Sequence, residues 1–270
     1  MSVESFKKEI WETALIEEYS RISLVEVITT PPSSVEGKTA HFNVIGDVTV
    51  DDYDESNPNL TWEGLSTTGI DLTYDKKKKF NFSVKDVDKV QVAGELMQPA
   101  LRTASEKLKK TIDTDVFNEI VSGCTIKIGN STTGKKTIST PEEAYDYIVD
   151  LGTKLDENDV PEDGRYVCAK PEFVNLLAKD KRVLDNTQVL PNGIVQGMLV
   201  NGMQICKSNN VPTGVVIATN KLATGFGKQI DEIEALRLQN DFADGVRGLT
   251  VYGQKTLRPK SSAILYYTIA

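Results

Sequence analysis

The pattern of hydrophobic and polar positions predicts two consecutive elements of unusual length. Residues 38–85 read as an antiparallel hairpin with arms at 41–50 and 70–84, and residues 87–122 read as one helix. The hairpin would reach roughly 40 Å and the helix roughly 50 Å, whereas a compact domain of this length has a radius of gyration of about 18 Å. Such elements need an external cover, and a second copy of the chain is the simplest one.

The predicted helix has the clearest periodicity in the sequence. Its apolar residues form one narrow stripe at 3.6 residues per turn: Val90, Ala93, Met97, Leu101, Ala104, Leu108 and Ile112. Charged residues occupy the other side: Glu95, Arg102, Glu106, Lys109, Lys110 and Asp113. Pro99 also lies on that polar side, where it should bend the helix without disturbing the buried stripe.

Charged segments interrupt the predicted hairpin at two places. Its tip, residues 51–59, is acidic and is followed by Trp62, and four lysines (Lys76, Lys77, Lys78 and Lys79) interrupt the return arm. In a monomer such charges would be solvated surface. On a protruding hairpin they are equally well placed to meet a neighbouring subunit of opposite local charge. Trp62 and the four lysines are therefore the candidate interface residues.

The remaining segments predict an α+β body with no internal repeat. Residues 3–20 can form an amphipathic helical arm, and residues 23–30 favour a strand. A helix should start at the capping sequence 139–143 and run to 155, and a second should cover 171–178. Tight turns are expected at Asn192-Gly193 and Asn201-Gly202. Strands are expected at 165–169, 214–219, 233–239, 249–257 and 263–269.

Composition limits the partners and the compartment. The 270 residues carry a net charge of −8, which argues against tight binding of nucleic acid because affinity for phosphates comes mainly from Lys and Arg. No segment has the pattern of a signal peptide or a membrane span. Cys124, Cys168 and Cys206 are far apart without metal or redox spacing, so we expect buried, reduced thiols.

No motif predicts a catalytic, cofactor or metal site. The sequence of residues 129–136 is similar to that of a phosphate-binding loop. However, Lys136 occupies the position where the motif needs Ser or Thr, and Pro141 delays the following helix. A hairpin loop is the better interpretation. His41 is the only histidine, which excludes multi-histidine metal sites. The acidic tip lacks EF-hand spacing, and Gly225-Phe-Gly227 is weak as a dinucleotide signal. We therefore expect no enzyme and no cofactor.

The order of the elements resembles the major capsid protein of tailed bacteriophages, a fold shared with encapsulins and the floor of the herpesvirus capsid. The resemblance covers essentially the whole chain. Its most specific local segments are 159–167, which looks like a turn into a central strand, the following 171–173, and the closing run 241–259. It implies an α+β major capsid fold with an N-terminal arm, an extended β-hairpin loop, a long spine helix, a peripheral domain and an axial domain.

Carried over by this resemblance, the domains have the following boundaries. The N-terminal arm would be 1–37 and the extended hairpin loop 38–85, lying across a neighbouring subunit. The peripheral domain with the spine helix would be 86–137 and 229–260. The axial domain would be 138–228 and 261–270. Some members of this family begin with a long scaffolding segment that is cleaved away, whereas the segment before the hairpin is short here. Either a separate scaffolding protein directs assembly or the chain is the processed form, and Met1 favours the scaffolding protein.

The resemblance implies a structural subunit that forms pentamers and hexamers in an icosahedral head shell around double-stranded DNA. Its expected partners are itself, a scaffolding protein, a portal and head-completion proteins, with loose DNA contact and no membrane. The expected location is the virion, assembled in the host bacterial cytoplasm. The alternative functions are an encapsulin-type shell of a bacterial compartment and, with no residues in its favour, an enzyme.

Overall fold

The computed structural model describes residues 24–32, 37–45, 64, 67–86, 97–183, 188–189 and 194–270. Its helices are α1 (Val25–Ile28), α2 (Met97–Gly123), α3 (Pro141–Asp156) and α4 (Pro171–Leu177). Its strands are β1 (Thr39–Ile45), β2 (Thr67–Thr73), β3 (Lys76–Lys85), β4 (Ile126–Ile128), β5 (Lys136–Ile138), β6 (Arg165–Ala169), β7 (Gln188–Val189), β8 (Ile194–Val200), β9 (Met203–Lys207), β10 (Val215–Asn220), β11 (Thr224–Arg237), β12 (Ala243–Thr256) and β13 (Ser262–Ile269). This mixture confirms the predicted α+β class. The predicted arm helix, the acidic tip and residues 87–96 lie outside the described residues.

The largest sheet of the described residues has eight strands and helices on both faces. Seven strands follow the order β4-β13-β10-β6-β9-β8-β7, and β5 also pairs with β13. Successive residues of a strand point to opposite faces, so in β6 the side chain of Val167 packs with α3 and α4, while Cys168 packs with α1 and α2. Burial on both faces explains why the central strands are nearly continuous apolar runs.

Helix α3 begins as its sequence predicts. The Thr140 side chain accepts a hydrogen bond from the Glu143 amide, and the Glu143 carboxylate accepts one from the Thr140 amide. Pro141 occupies the first turn, where the absence of its amide hydrogen costs nothing. This capping box confirms the predicted start, and the helix then buries Ile148, Leu151 and Leu155 against the large sheet.

Helix α2 connects the two main sheets. Near its start, Leu101 packs with Val84 and Val246 of the second sheet. Two to five turns later, Ile112, Phe117 and neighbouring residues pack against the large sheet. The second contact broadens the buried face beyond the predicted narrow stripe. At 27 residues, the helix is about 40 Å long.

The second sheet contains β11, β12 and β3 in that order, all antiparallel. Strands β11 and β12 both have 14 residues, so each starts well before its predicted segment at 233 or 249. Leu249 of β12 is exposed although apolar, while Gly and Ala occupy several buried positions of the two strands, which weakens the alternation on which the prediction relied. The segment 23–30 is not a strand: it contains α1, whose Leu24, Val25 and Ile28 are buried against α2.

The hairpin ladder is shorter than predicted within the described residues. Strand β1 pairs with β2 from Thr39↔Thr73 to Ile45↔Thr67. The return arm then breaks at 74–75, and β3 pairs with β12 instead of continuing the hairpin. The predicted continuous arm over 70–84 is therefore wrong. Tyr74 is buried at the break with Leu72 and Val251, so side-chain packing rather than charge fixes this corner.

Candidate assembly surface

The four predicted interface lysines form the first part of β3, an edge strand. Lys76 pairs with Tyr252 and Lys79 with Leu249 in the antiparallel ladder with β12. Within the described residues β3 has a strand neighbour on this side only, so the backbone groups of its other edge are open. Lysines on an edge strand oppose pairing with unwanted strands. All four lysines are paired residues of this ladder.

Strand alternation gives these lysines two different environments. Lys76 and Lys78 are half-buried on the face that also carries Phe80, Phe82 and Val84 and that packs with α2. Lys77 and Lys79 are exposed. The run of four like charges therefore divides into two residues that face the chain itself and two that face solvent.

Lys78 belongs to an intramolecular cluster between helix and sheet. Its Nζ atom lies 3.5 Å from Oδ2 of Asp115 on α2, and the same Oδ2 accepts a hydrogen bond of 2.6 Å from the Tyr252 hydroxyl. Burial, and then this bond to Asp115, raises the pKa of Tyr252 far above its usual value, so the phenol stays protonated and donates. Neither Asp115 nor Tyr252 carried a signal in the sequence, because their pairing depends on how α2 crosses β12.

A groove of about 840 Å³ lies between β3 and α2. The Phe80 and Phe82 rings stack along it with centroids 6.5 Å apart. The helix side is lined by small or medium residues, and the lysine run borders one end: its lining includes Ala100, Thr103, Ala104, Leu108, Lys77, Lys78 and Lys79. An apolar floor beside cationic head groups suits an extended segment that carries both apolar and acidic side chains.

The base of the hairpin rests on β11 and β12 because glycines allow a close approach. A Cβ atom on Gly253 would lie 2.4 Å from the Thr73 carbonyl oxygen, and one on Gly225 would lie 2.9 Å from the Phe42 ring. Further along the hairpin, His41 and Asp71 form an exposed cross-strand pair, with Nδ1 of His41 2.6 Å from Oδ1 of Asp71. The glycines thus fix where the hairpin leaves the body of the chain.

A buried carboxylate lies on α2, on the side opposite the predicted apolar stripe. Asp113 on that polar side is only 1% exposed. The Asn210 amide donates to its Oδ2 at 3.0 Å, while its Oδ1 has no described partner. Burial raises the pKa of Asp113 to about 6, an effect that Lys109 partly opposes. The described interactions that favour the charged form of the Asp113 carboxylate include the hydrogen bond from Asn210 and the positive charge of Lys109.

The structure reports directly on the remaining candidate chemistry. Residues 129–136 connect β4 to β5, both parallel to β13, so no helix follows the loop to bind phosphate. All three cysteines are buried and unpaired, as predicted. In the part of the chain described, no group of three or more His, Cys, Asp or Glu is placed to hold a metal ion, and no helix is long and apolar enough to cross a membrane. Trp62 lies outside the described residues.

The architecture matches solved structures from bacteriophages. A structure from Mycobacterium phage Che8 is 26% identical, with 85% of both chains covered and a TM-score of 0.67. The capsid structure of the cyanophage P-SCSP1u is 20% identical, covers 92% of this chain and 88% of that chain, and has a TM-score of 0.70. The chain has the fold of tailed-phage capsid proteins. This capsid fold confirms the resemblance found in the sequence.

The capsid fold is not restricted to phage heads. A virus-like particle from Pyrococcus furiosus matches with 17% identity, 96% coverage of this chain, 99% of that chain and a TM-score of 0.62. No protein-family model and no curated protein matches the chain. The similarity is therefore one of structure, along almost the whole of both chains.

Proposed function

We propose that this chain is a structural major capsid protein that self-assembles into the icosahedral head shell enclosing the double-stranded DNA of a tailed bacteriophage. The observation that carries the proposal is the match to phage capsid structures along most of both chains. A partial match would leave room for a different role. Here 85% or more of both chains is covered, which supports a whole shell subunit rather than a shared part.

The geometry supports self-association. Within the described residues the outer edge of β3 has no strand neighbour, whereas β11 meets Thr30 at one bridge on its outer edge. The hairpin is attached at the base of the same sheet. Helix α2 is about 40 Å long, roughly twice the radius of gyration expected for a compact domain of this length. Open edges and projecting elements are costly in a monomer and useful in an assembly.

The proposed contact places the hairpin of one copy across the next. The acidic tip at 51–59 would approach the lysine run Lys76 to Lys79, and the arm would lie along the groove between β3 and α2. The charges have opposite sign, and the groove offers apolar floor and cationic border together. In this proposal Lys77 and Lys79 make the contact, because Lys78 already pairs with Asp115.

The domain roles follow the same proposal. Residues 1–37 would form the arm and 38–85 the extended loop; 86–137 and 229–260 would form the peripheral domain, and 138–228 and 261–270 the axial domain of pentamers and hexamers. A scaffolding protein, a portal and head-completion proteins would complete the head in the host cytoplasm. The net charge of −8 suits loose contact with packaged DNA. The role is structural, with no catalytic step.

An encapsulin-type shell is the second candidate, favoured by the match to the Pyrococcus furiosus particle. The two candidates differ in content. A head shell produced in the presence of its portal and packaging proteins would hold double-stranded DNA, whereas a compartment shell would copurify with an enzyme in stoichiometric amounts. Nuclease-protected DNA in purified particles therefore decides between them.

Electron microscopy of the purified protein tests the proposal. We expect closed shells or rings of five and six subunits, and a monodisperse monomer over a wide range of salt and pH would contradict it. Deleting residues 51–65 should leave a folded subunit that fails to close shells. Leu101→Ala is the comparison: this side chain is 2% exposed, so its truncation should lower stability by about 2–5 kcal/mol.

A further inference from the structure

The turn between β11 and β12 displays an unpaired aromatic side chain. The Leu238 amide donates to the Ala243 carbonyl at 3.0 Å, which closes a short loop. Phe242 in this loop is 80% exposed, the highest value among the large apolar residues of the described chain. A lone exposed apolar residue is common on protein surfaces, so the setting of Phe242 decides its meaning.

The turn is held in a fixed position by charged groups. Arg237 donates from Nη1 to Asp86 at 2.7 Å and to Asp244 at 3.1 Å, and it makes a second bond to Asp86 from Nη2. The Asp86 amide in turn donates to the Phe242 carbonyl at 2.9 Å. The aromatic residue is thus presented on a braced turn, which reduces the entropy that ordering it in a contact would cost.

A groove that can receive such a side chain lies beside the same turn. It has a volume of about 400 Å³, at the lower end of the range for small apolar binding sites. Leu236 and Leu238 supply apolar walls, and Gly245 leaves the floor free of a side chain. Phe242 does not line it. The groove is also lined by the polar Asn81, Ser83 and Arg247. The chain therefore carries an exposed apolar side chain beside a separate groove with apolar walls and polar residues around them.

The charges around the two features are complementary. Asp241, next to Phe242, is exposed and has no described cationic partner. Arg247 borders the groove, and Glu234 accepts from its Nε and Nη2 atoms. Nη1 of Arg247 makes no described hydrogen bond, so this nitrogen can donate to a carboxylate of another copy. A hydrogen-bonded ion pair between Asp241 and Arg247 would fix the direction from which Phe242 enters a groove.

We propose that Phe242 of one copy inserts into the groove formed by Leu236, Leu238 and Gly245 of a second copy, with Asp241 facing Arg247 of that copy. The contact is heterologous, because different surfaces of the two copies meet. Both surfaces lie at the same end of the sheet, so the contact brings these turns of neighbouring copies together. This inference rests on the proposed shell function and names one of its contacts.

Mixed-variant disulfide trapping tests the contact. Phe242→Cys and Ser83→Cys proteins with different tags are assembled together and then oxidised; Ser83 is exposed and lines the groove. The three native cysteines are buried and should not interfere. We expect the mixed cross-linked dimer to predominate. The control mixture pairs Phe242→Cys with Lys127→Cys, an exposed position on β4 away from the groove.

The outcomes separate this inference from the proposed function. Normal shells with mixed cross-links no stronger than the control, or with Phe242→Cys homodimers predominating, would overturn the inserted arrangement and leave the shell function intact. Failure of the unmodified protein to form shells or rings would overturn both. As a second measurement, Phe242→Ala should slow assembly about tenfold or more without changing Tm, whereas Leu222→Ala, at another exposed apolar site, should not slow it.

Discussion

The Tyr252 hydroxyl on β12 donates a 2.6 Å hydrogen bond to the Asp115 carboxylate on α2. This bond joins the long helix to the middle strand of the second sheet. Tyr252 is fully buried and Asp115 is partly shielded, with Lys78 at 3.5 Å on the same oxygen. Two residues later on β12, the side-chain amide of Gln254 donates to the backbone carbonyl of Asp115 at 3.4 Å. The helix and the sheet are thereby held in one relative position.

Tyr252→Phe should destabilise the subunit by about 1.5–3 kcal/mol, because a hydrogen bond to a charged acceptor is lost and Asp115 keeps its partial burial. Urea unfolding followed by circular dichroism measures the change. Tyr147→Phe is the control, since the Tyr147 hydroxyl has no described partner and its ring is half-buried against the other core. If the two substitutions change the free energy of unfolding equally, the hydrogen bond from Tyr252 to Asp115 does not contribute to stability.

Gly253→Ala should displace the base of the hairpin. Its Cβ would lie 2.4 Å from the Thr73 carbonyl oxygen and 2.8 Å from Leu72 Cδ2, and backbone cannot yield without moving the strand. We expect a loss of stability of about 1–3 kcal/mol and, because the hairpin then leaves in a different direction, failure to close shells. Differential scanning calorimetry and electron microscopy measure the two effects.

Gly69 on the same hairpin provides the control for that substitution. A Cβ there would have no neighbour within 4 Å, so Gly69→Ala should fold and assemble normally. If Gly253→Ala forms shells as efficiently as Gly69→Ala, the position of the hairpin base does not limit assembly.

The sequence predicted those elements whose signals are local. The α3 capping box lies within four residues, from Thr140 to Glu143, and the buried strand β6 is an apolar run after its first residue, Arg165. The turn at Asn201-Gly202 has positive φ at both residues, 50° and 72°, as an Asn-Gly pair favours. In each case a few neighbouring residues determine the backbone without help from distant ones.

Features that depend on distant contacts were not predictable in the same way. The break at residues 74–75 follows from the fit of Tyr74 beside Gly227 and Val251, which lie far along the chain. Asp113 has the residue type of a solvated helix face, but it is buried, and its described hydrogen bond comes from Asn210, 97 residues away in the chain. For the assembly surface, the lysine run was recognisable as a candidate, but its division into inward and outward residues required the pairing of β3 with β12.

Asp113→Asn should change stability in a pH-dependent way. The folded state holds the Asp113 pKa at about 6, above its ordinary value near 3.9, so between these values the folded state binds the proton more strongly than the unfolded state. This group therefore lowers stability as pH rises through about 4 to 6. The variant should gain at most about 3 kcal/mol over the wild type at pH 8 and nothing at pH 4. A constant difference in unfolding free energy at both pH values would contradict the buried charge.

The two halves of the lysine run should respond differently to neutralisation. Lys77→Gln/Lys79→Gln removes exposed charges that meet no acid among the described residues, so Tm should stay unchanged. If these lysines meet the acidic tip of a neighbour, assembly should become slower and less sensitive to salt, because long-range attraction between opposite charges is screened by ions.

Lys76→Gln/Lys78→Gln is the matched variant. It changes the net charge by the same amount and at neighbouring positions of the same strand. It removes one partner of the Asp115 carboxylate, which keeps its bond from Tyr252, so the subunit should lose up to about 1 kcal/mol of stability. The dependence of assembly on salt should remain close to that of the wild type. Light scattering at several ionic strengths measures assembly, and thermal unfolding measures the subunit. If both variants leave assembly rate and salt dependence at wild-type values, the outward lysines are only solvated and protect the edge of β3. If both slow assembly equally, the total charge of the run matters rather than the face of the strand on which each lysine lies.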